Sequence, residues 1–296
     1  MSNFSLFDSD EIFNIFFDYI KNKYEFKDLG NRFIIRKIGR IKRLHYAIDD
    51  LVDWWDLDIK KDELEYMLKN EIYTKAVFKN ILEFSNIKQV LDNLSMKPKK
   101  VSYSKVYYIS FEDIKDEKDL YKSLSYNQKK NIRNYLNRLR KINFVFEKME
   151  DYKSIFKEVV NFITLRHKET YWNDLLYVQT IDKVLNFFYN NNMMEVFVMK
   201  SQNDIMIINI TLLFEKKSFW WITAFNDKYT YFSPPRISVW YMLNYYLKKE
   251  FKEFNFMRGE AEYKTFWTKK YYKLYRYEFE NPNLIRKVFS FFILNI

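Results

Sequence analysis

Phe256-Met-Arg-Gly-Glu-Ala-Glu-Tyr-Lys-Thr-Phe-Trp267 is the stretch that decides how this chain folds. It holds one of three glycines in 296 residues. Just upstream, Glu253-Phe-Asn-Phe256 alternates polar with apolar as a half-buried strand does. Just downstream, Tyr263, Phe266 and Trp267 fall at helical spacing, so Gly259 marks a strand-to-helix turn. The turn gathers Arg258, Glu260, Glu262, Tyr263 and Lys264 at the C-terminal end of a strand, where open α/β sheets place their ligands. The same residues also read as a solvated turn with a glycine cap.

Outside this stretch the composition sets limits. A chain of 36.9 kDa is long enough for one large or two ordinary domains. With 48% hydrophobic and 21% aromatic residues it has ample material for a core. The net charge of +11 points to an anionic partner. Yet Gly, Pro and Ala are scarce while Lys, Asn, Ile, Phe and Tyr abound, a codon-bias pattern that weakens the case for nucleic acid and leaves phosphate binding open. Without cysteine there is no disulfide, thiolate nucleophile or Cys-ligated metal. His45 and His167 lack a second histidine at ligand spacing, so no metal site is expected. Asp8, Asp10 and Glu11 near the start do not read as a signal peptide, and no apolar run of membrane-spanning length occurs. The expected location is the cytoplasm, with peripheral contact at the inner membrane face through the apolar, basic tail Ile285-Arg-Lys-Val-Phe-Ser-Phe-Phe-Ile-Leu294.

In chain order, residues 11–26 have amphipathic-helix periodicity, and 33–43 read as strands broken at Gly39 with an edge or exposed basic face. The acids Asp49, Asp50, Asp53, Asp56 and Asp58, followed by Glu63, flank Trp54 and Trp55. They are read as an exposed helix start rather than a metal site. Residues 75–94 give a helical pattern and 101–111 alternate as a strand. Ser125-Tyr-Asn-Gln128 has capping-box spacing, and Ile132, Tyr135, Leu136, Leu139 and Ile142 follow as one apolar stripe. Lys129, Lys130, Arg133, Arg138, Arg140 and Lys141 accompany it with no acid between Ser125 and Asn143. Such a helix follows a phosphate backbone or an anionic substrate, or is a plain solvated face.

Beyond Asp151 the order is clearer. Helices over about 152–166 and 180–191 precede strands 195–200, 205–214 and 219–225, whose short connections make an antiparallel meander. Ser233-Pro234 reads as an N-cap with proline at the first helical position, opening a helix to about Lys249. A strand to Phe256, a short helix from about Glu262 and a strand over 272–279 close the unit.

This order resembles a GNAT acyltransferase domain, specifically the CelD-like, polysaccharide-associated branch, which is similar to the Fem-type aminoacyl transferases. The resemblance rests on Leu124-Ser-Tyr-Asn-Gln-Lys-Lys-Asn-Ile-Arg133, Tyr231-Phe-Ser-Pro234 and Phe254-Asn-Phe-Met-Arg-Gly-Glu-Ala-Glu-Tyr-Lys264. It implies an α/β (α+β) GNAT fold, a mixed, mostly antiparallel sheet flanked by helices. Two tandem halves are expected, residues 1–122 forming a degenerate first and 123–296 the acyltransferase.

The activity implied is direct transfer of an acyl group from acyl-CoA to an amine, an amino sugar or similar small acceptor, in surface polysaccharide or envelope synthesis. In the resemblance, the strand ending at Phe225 and the following helix start at Ser233, Arg236, Ile237 and Ser238 hold the CoA pantetheine and pyrophosphate. Glu260 and Glu262, with Asp227 behind them, are the expected general bases. Tyr263 protonates the leaving thiolate or orients the acyl group. Arg258 and Lys264 bind an anionic acceptor or are salt-bridged structural residues, and His167 and Trp172 line the acceptor pocket or sit in the core. One departure from the family stands out. Pro234-Pro235 replaces the usual Pro-Gly and removes an N–H from the pyrophosphate cradle. Two alternatives follow: an aminoacyl-tRNA donor, which fits the basic helix, or a non-catalytic binding protein that keeps the fold.

Overall fold

The computed structural model describes residues 6–202 and 204–281. The tail Ile285–Leu294 and Asn203, where a hairpin turn is expected from the sequence, lie outside them. The chain divides into two compact units, Met1–Lys105 with Tyr272–Ile296, and Val106–Tyr271. The units are divided after residues 105 and 271, where a single boundary at residue 122 is expected from the sequence.

The first unit begins with α1 (Asp10–Lys23), whose Ser9 hydroxyl accepts the Ile12 N–H at 3.2 Å. Its buried stripe of Ile12, Phe13, Phe16, Phe17 and Ile20 repeats at helical spacing. Next come β1 (Phe26–Asp28), β2 (Phe33–Ile38) and β3 (Ile41–Tyr46), an antiparallel meander turning at Gly39, whose φ of 59° suits glycine. After α2 (Lys61–Asn70), β4 (Lys75–Leu82) runs parallel to β3, and α3 (Asn86–Asp92) and β5 (Lys100–Ser110) follow.

Two expectations are corrected here. Residues 75–94 are a strand and then a short helix. In β4 Asn80 takes φ 62°, a bulge that sets Val77, Phe78, Ile81 and Leu82 at spacings a helix would also give, while burial of both faces hides the alternation. The acids of 49–58 are not an exposed helix start, because Asp49 and Asp56 are buried in a helix-free segment. Asp56 accepts the N–H groups of Asn86 and Ile87 at 3.0 and 2.9 Å and so serves the start of α3, far along the chain.

Asp49 receives Arg43 at 2.9 Å and the His45 Nδ1 at 3.0 Å, and Asp50 receives Arg36 at 3.0 Å together with Lys79. The His45, Asp49 and Asp50 ligand atoms lie within 4.8 Å of one another, but Arg36, Arg43 and Lys79 already supply the positive charge. Burial opposes ionisation of Asp50; Arg43 and Lys79 outweigh it and hold that carboxyl at about 2.

The second unit contains α4 (Glu117–Ser123), α5 (Tyr126–Leu139), β6 (Phe144–Met149), α6 (Lys153–Arg166), α7 (Leu175–Asn190), β7 (Met194–Ser201), β8 (Asp204–Phe214), β9 (Lys217–Phe225), α8 (Pro234–Lys248), β10 (Glu253–Arg258) and α9 (Glu262–Trp267). β6–β7–β8–β9 is antiparallel, β10 joins β9 in parallel, and the second half of β5 pairs antiparallel with β10. The β8–β9 turn uses Glu215 and Lys216, both at positive φ, to make a tight hairpin in a glycine-poor chain. The capping box at Ser125 and Gln128 forms as the spacing predicts. α8 is apolar nearly all round and lies in the core, where Ile237, Val239, Met242 and Tyr246 pack with Phe197, Trp220, Phe254 and Phe256. β11 (Tyr271–Glu280) then returns to the first unit and pairs antiparallel with β4, from Leu274 opposite Leu82 to Glu280 opposite Lys75. The architecture is the mixed α/β fold expected. Among the described residues no helix is long and apolar enough to cross a membrane.

Candidate active site

β9 and β10 are paired only from Glu253–Lys217 to Asn255–Phe219. Past that point β10 bulges, with Met257 at φ 59° and Gly259 at φ 105°, while β9 runs on to Phe225. The opening wedge is one side of a cavity of about 870 Å³, lined by residues 220–225 of β9. The end of α6 with Arg166, the following loop with His167 and Trp172, Tyr135 and Arg138 of α5, the approach to α8, and Tyr263 of α9 complete its wall. This is ample for a ligand of cofactor size.

Among the described residues three arginines line the cavity, and no carboxylate does. The Arg166 guanidinium lies 3.8 Å from the centre of the Phe225 ring. Arg138 stacks 4.3 Å from the Tyr231 ring and donates to the Tyr231 carbonyl at 3.0 Å. Arg236 donates to the Tyr135 hydroxyl at 3.0 Å, and its buried Nε has no hydrogen-bond partner. Its only carboxylate neighbour among the described residues is Glu262, at 3.8 Å, whose side chain is 93% exposed. Opposite the arginines, Tyr263 packs edge-on against Trp220, with ring centres 5.5 Å apart. Burial pushes its hydroxyl up to about 12, against the pull of Arg166. It therefore stays a neutral donor across the working range of pH.

Of the residues expected from the sequence, the fold brings Tyr263, Ser233, Arg236, Phe225, His167 and Trp172 onto the cavity wall. It does not bring the expected bases there. Glu260 and Asp227 are exposed and off the wall, and Glu262 reaches only as far as Arg236. Ile237 and Ser238 are fully buried in the core, and the Ser238 hydroxyl donates to the Pro235 carbonyl at 3.1 Å. Lys264, expected at an acceptor, lies off the cavity wall. It is buried and donates to the carbonyls of Met257 and Arg258 at 3.2 and 2.7 Å, tying down the bulged end of β10. Arg258 is exposed and lies off the cavity wall.

The start of α8 also differs from expectation. Ser233 sits in the left-handed region, φ 52° and ψ 54°, and its side chain makes no capping bond. Pro234 and Pro235 have no N–H. The next two amides, of Arg236 and Ile237, both donate to the Ser233 carbonyl, at 3.1 and 3.3 Å. The first turn is left with no backbone donor for an anion, the reverse of what helix starts ordinarily offer. Arg166, Tyr135 and the indole of Trp221, which also line the site, carry no local motif that marks them.

Residues 126–265 match the family described as acetyltransferase (GNAT) domain. The chain as a whole is similar in structure to FemX, with a TM-score of 0.60 and 9% identity over 97% of this chain and 95% of that one. It is also similar to the C-terminal domain of a putative lysylphosphatidylglycerol synthetase from Agrobacterium fabrum, at 0.53 and 11% over 95% of each chain. L-PGS from Bacillus licheniformis gives 0.52 and 12%, again over 95% of each. A search of curated protein sequences found no match. At such identities the likeness to these structures is one of fold. Residues 126–265, a little under half of the chain, thus resemble an acetyltransferase (GNAT) domain, within a chain folded like FemX and the lysylphosphatidylglycerol synthetase domain.

Proposed function

We propose that the chain is a transferase that moves an aminoacyl group from aminoacyl-tRNA to an amine. The observation that carries this reading is the start of α8, where two prolines and two amides turned back onto Ser233 leave no cradle for the pyrophosphate of CoA. The cavity beside it instead offers Arg138, Arg166 and Arg236 among aromatic walls, which suits a ligand carrying both phosphate and stacking bases. The likeness in fold to FemX, and to synthetases whose name couples a lysyl group to phosphatidylglycerol, supports the same choice.

In this reading the amine nitrogen attacks the ester carbonyl carbon. The bond to the ribose oxygen breaks, the nitrogen loses a proton and the ribose oxygen gains one. Tyr263, held protonated, gives its proton to that oxygen, a far stronger base than a thiolate. With no carboxylate on the wall, His167 or water takes the proton of the amine. The test is protein-dependent transfer of radiolabel from charged tRNA to an amine-bearing envelope extract, run beside labelled acetyl-CoA. Transfer from acetyl-CoA alone overturns the reading.

A second reading, an acyl-CoA-dependent N-acyltransferase on an amino sugar for surface polysaccharide, is favoured by the family match and by the β9–β10 wedge. It requires thermal stabilisation by acetyl-CoA, about 2.7 kcal/mol at a hundredfold excess over Kd, that Arg236→Ala abolishes.

A further inference from the structure

Resting on the aminoacyl-tRNA reading, we propose that the solvent face of α5 is the track along which the phosphate backbone of the donor's acceptor stem lies. Lys130 and Arg133 are exposed there, and Arg140 and Lys141 are exposed in the single 3-10 turn, Arg140–Ile142, that continues it. The stripe from Lys130 to Lys141 rises about 16 Å, long enough to meet several phosphates of one strand.

Set beside α2 and α3, this helix leaves its charge standing. In α2, Glu65 takes Lys61 and Lys69, and in α3 Asp92 takes Lys88. Among the described residues no carboxylate pairs with any of the six cations from Lys129 to Lys141. Lys129 donates to the Lys122 carbonyl, Arg138 to that of Tyr231, and Arg140 to the Asn137 side chain. Like charges on one helix repel and cost stability, and among the described residues no carboxylate offsets that cost; a polyanion would.

The direction of the helix supplies the second argument. Its N-terminal end engages the Ser125 and Gln128 amides in the capping box, while its C-terminal end carries Tyr135 and Arg138 onto the cavity wall. A strand following the stripe toward that end is delivered to the site where transfer occurs. Tyr231, 65% exposed beneath the Arg138 guanidinium, presents a ring at the mouth on which a terminal base can stack.

The test compares wild type with Lys130→Glu/Arg133→Glu, two exposed residues off the cavity wall, using two probes: bulk aminoacyl-tRNA, and the trinucleotide CCA, too short to reach the helix. The expected result is tRNA binding weakened tenfold or more, with a log Kd against log salt slope smaller by about two, and CCA binding unchanged. The milder pair Lys130→Gln/Arg133→Gln, with a thermal melt, guards against a folding defect. Equal tRNA affinity and slope in wild type and variants overturns the track while leaving the donor reading intact. Wild type binding neither probe overturns both. Phosphatidylglycerol vesicles released by the variants, with tRNA binding unaffected, assign the stripe to a membrane and overturn the proposal.

Discussion

The two units hold arginine in opposite ways. In the first, Arg36 and Arg43 are sunk among Asp49 and Asp50, with Lys79 and His45 completing a network. In the second, Arg138 and Arg166 lie against aromatic rings and a backbone carbonyl, and Arg236 has one distant, exposed carboxylate. Charge neutralised within the fold holds structure together; charge left open on a cavity wall is available to a ligand. A side chain's role follows from its counter-charge, and the residue type alone does not reveal it.

The comparison breaks most visibly at Asp49. Asp49→Ala takes from Arg43 its nearest carboxylate, leaving Asp50 at 3.8 Å, and from His45 its carboxylate partner, and should destabilise the protein by about 3 kcal/mol, read as a shifted urea midpoint. A loss below about 1 kcal/mol would show that the network is not structural. In the second unit Tyr263→Phe should lower kcat about a hundredfold, the scale of one positioned proton donor, with the melting temperature little changed. Because the folded hydroxyl is raised to about 12, its neutral form persists as pH climbs past the usual tyrosine range, and any stability it adds is lost only as pH passes from about 10 through 12. Wild-type kcat should therefore show no fall from this group up to pH 10. A basic limb that appears below pH 10 and vanishes in the Phe variant would refute the role.

Lys264→Met leaves the Met257 and Arg258 carbonyls without their ammonium and should cost about 1–3 kcal/mol, measured by thermal unfolding. An unchanged stability with lost acceptor binding would return Lys264 to the ligand site. The smallest effect on stability is expected at Arg166→Ala, about 1 kcal/mol or less for a surface cation on a ring, set against a clear loss of donor affinity. A large stability loss there would erase the contrast between the units.

The parts of the fold that a reader of sequence recovers are those in which one face is buried. The β7–β8–β9 meander and the capped α5 show their periods openly. β4 is misread because Asn80 bulges and both faces are covered. At the site, Tyr263, Arg236 and His167 were legible through the turn chemistry and the resemblance. The burial of Lys264 was not, because its partners are main-chain carbonyls set by the bulge at Met257, which no local residue pattern announces. Nor does a Ser-Pro-Pro sequence reveal that Ser233 turns left-handed and that its carbonyl gathers both following amides.

The pairing of β4 with β11 has a consequence for how the protein is made. Lys75 and Glu280 are partners, so β4 leaves the ribosome long before β11 exists. At ordinary elongation speeds the interval is roughly ten to forty seconds. Throughout it an edge bearing Val77, Phe78 and Ile81 lacks the strand that covers it in the finished molecule. The second unit, Val106–Tyr271, is complete before that strand is synthesised. The first unit therefore finishes folding after the second has been synthesised, and its nascent form is the one on which a chaperone has time to act.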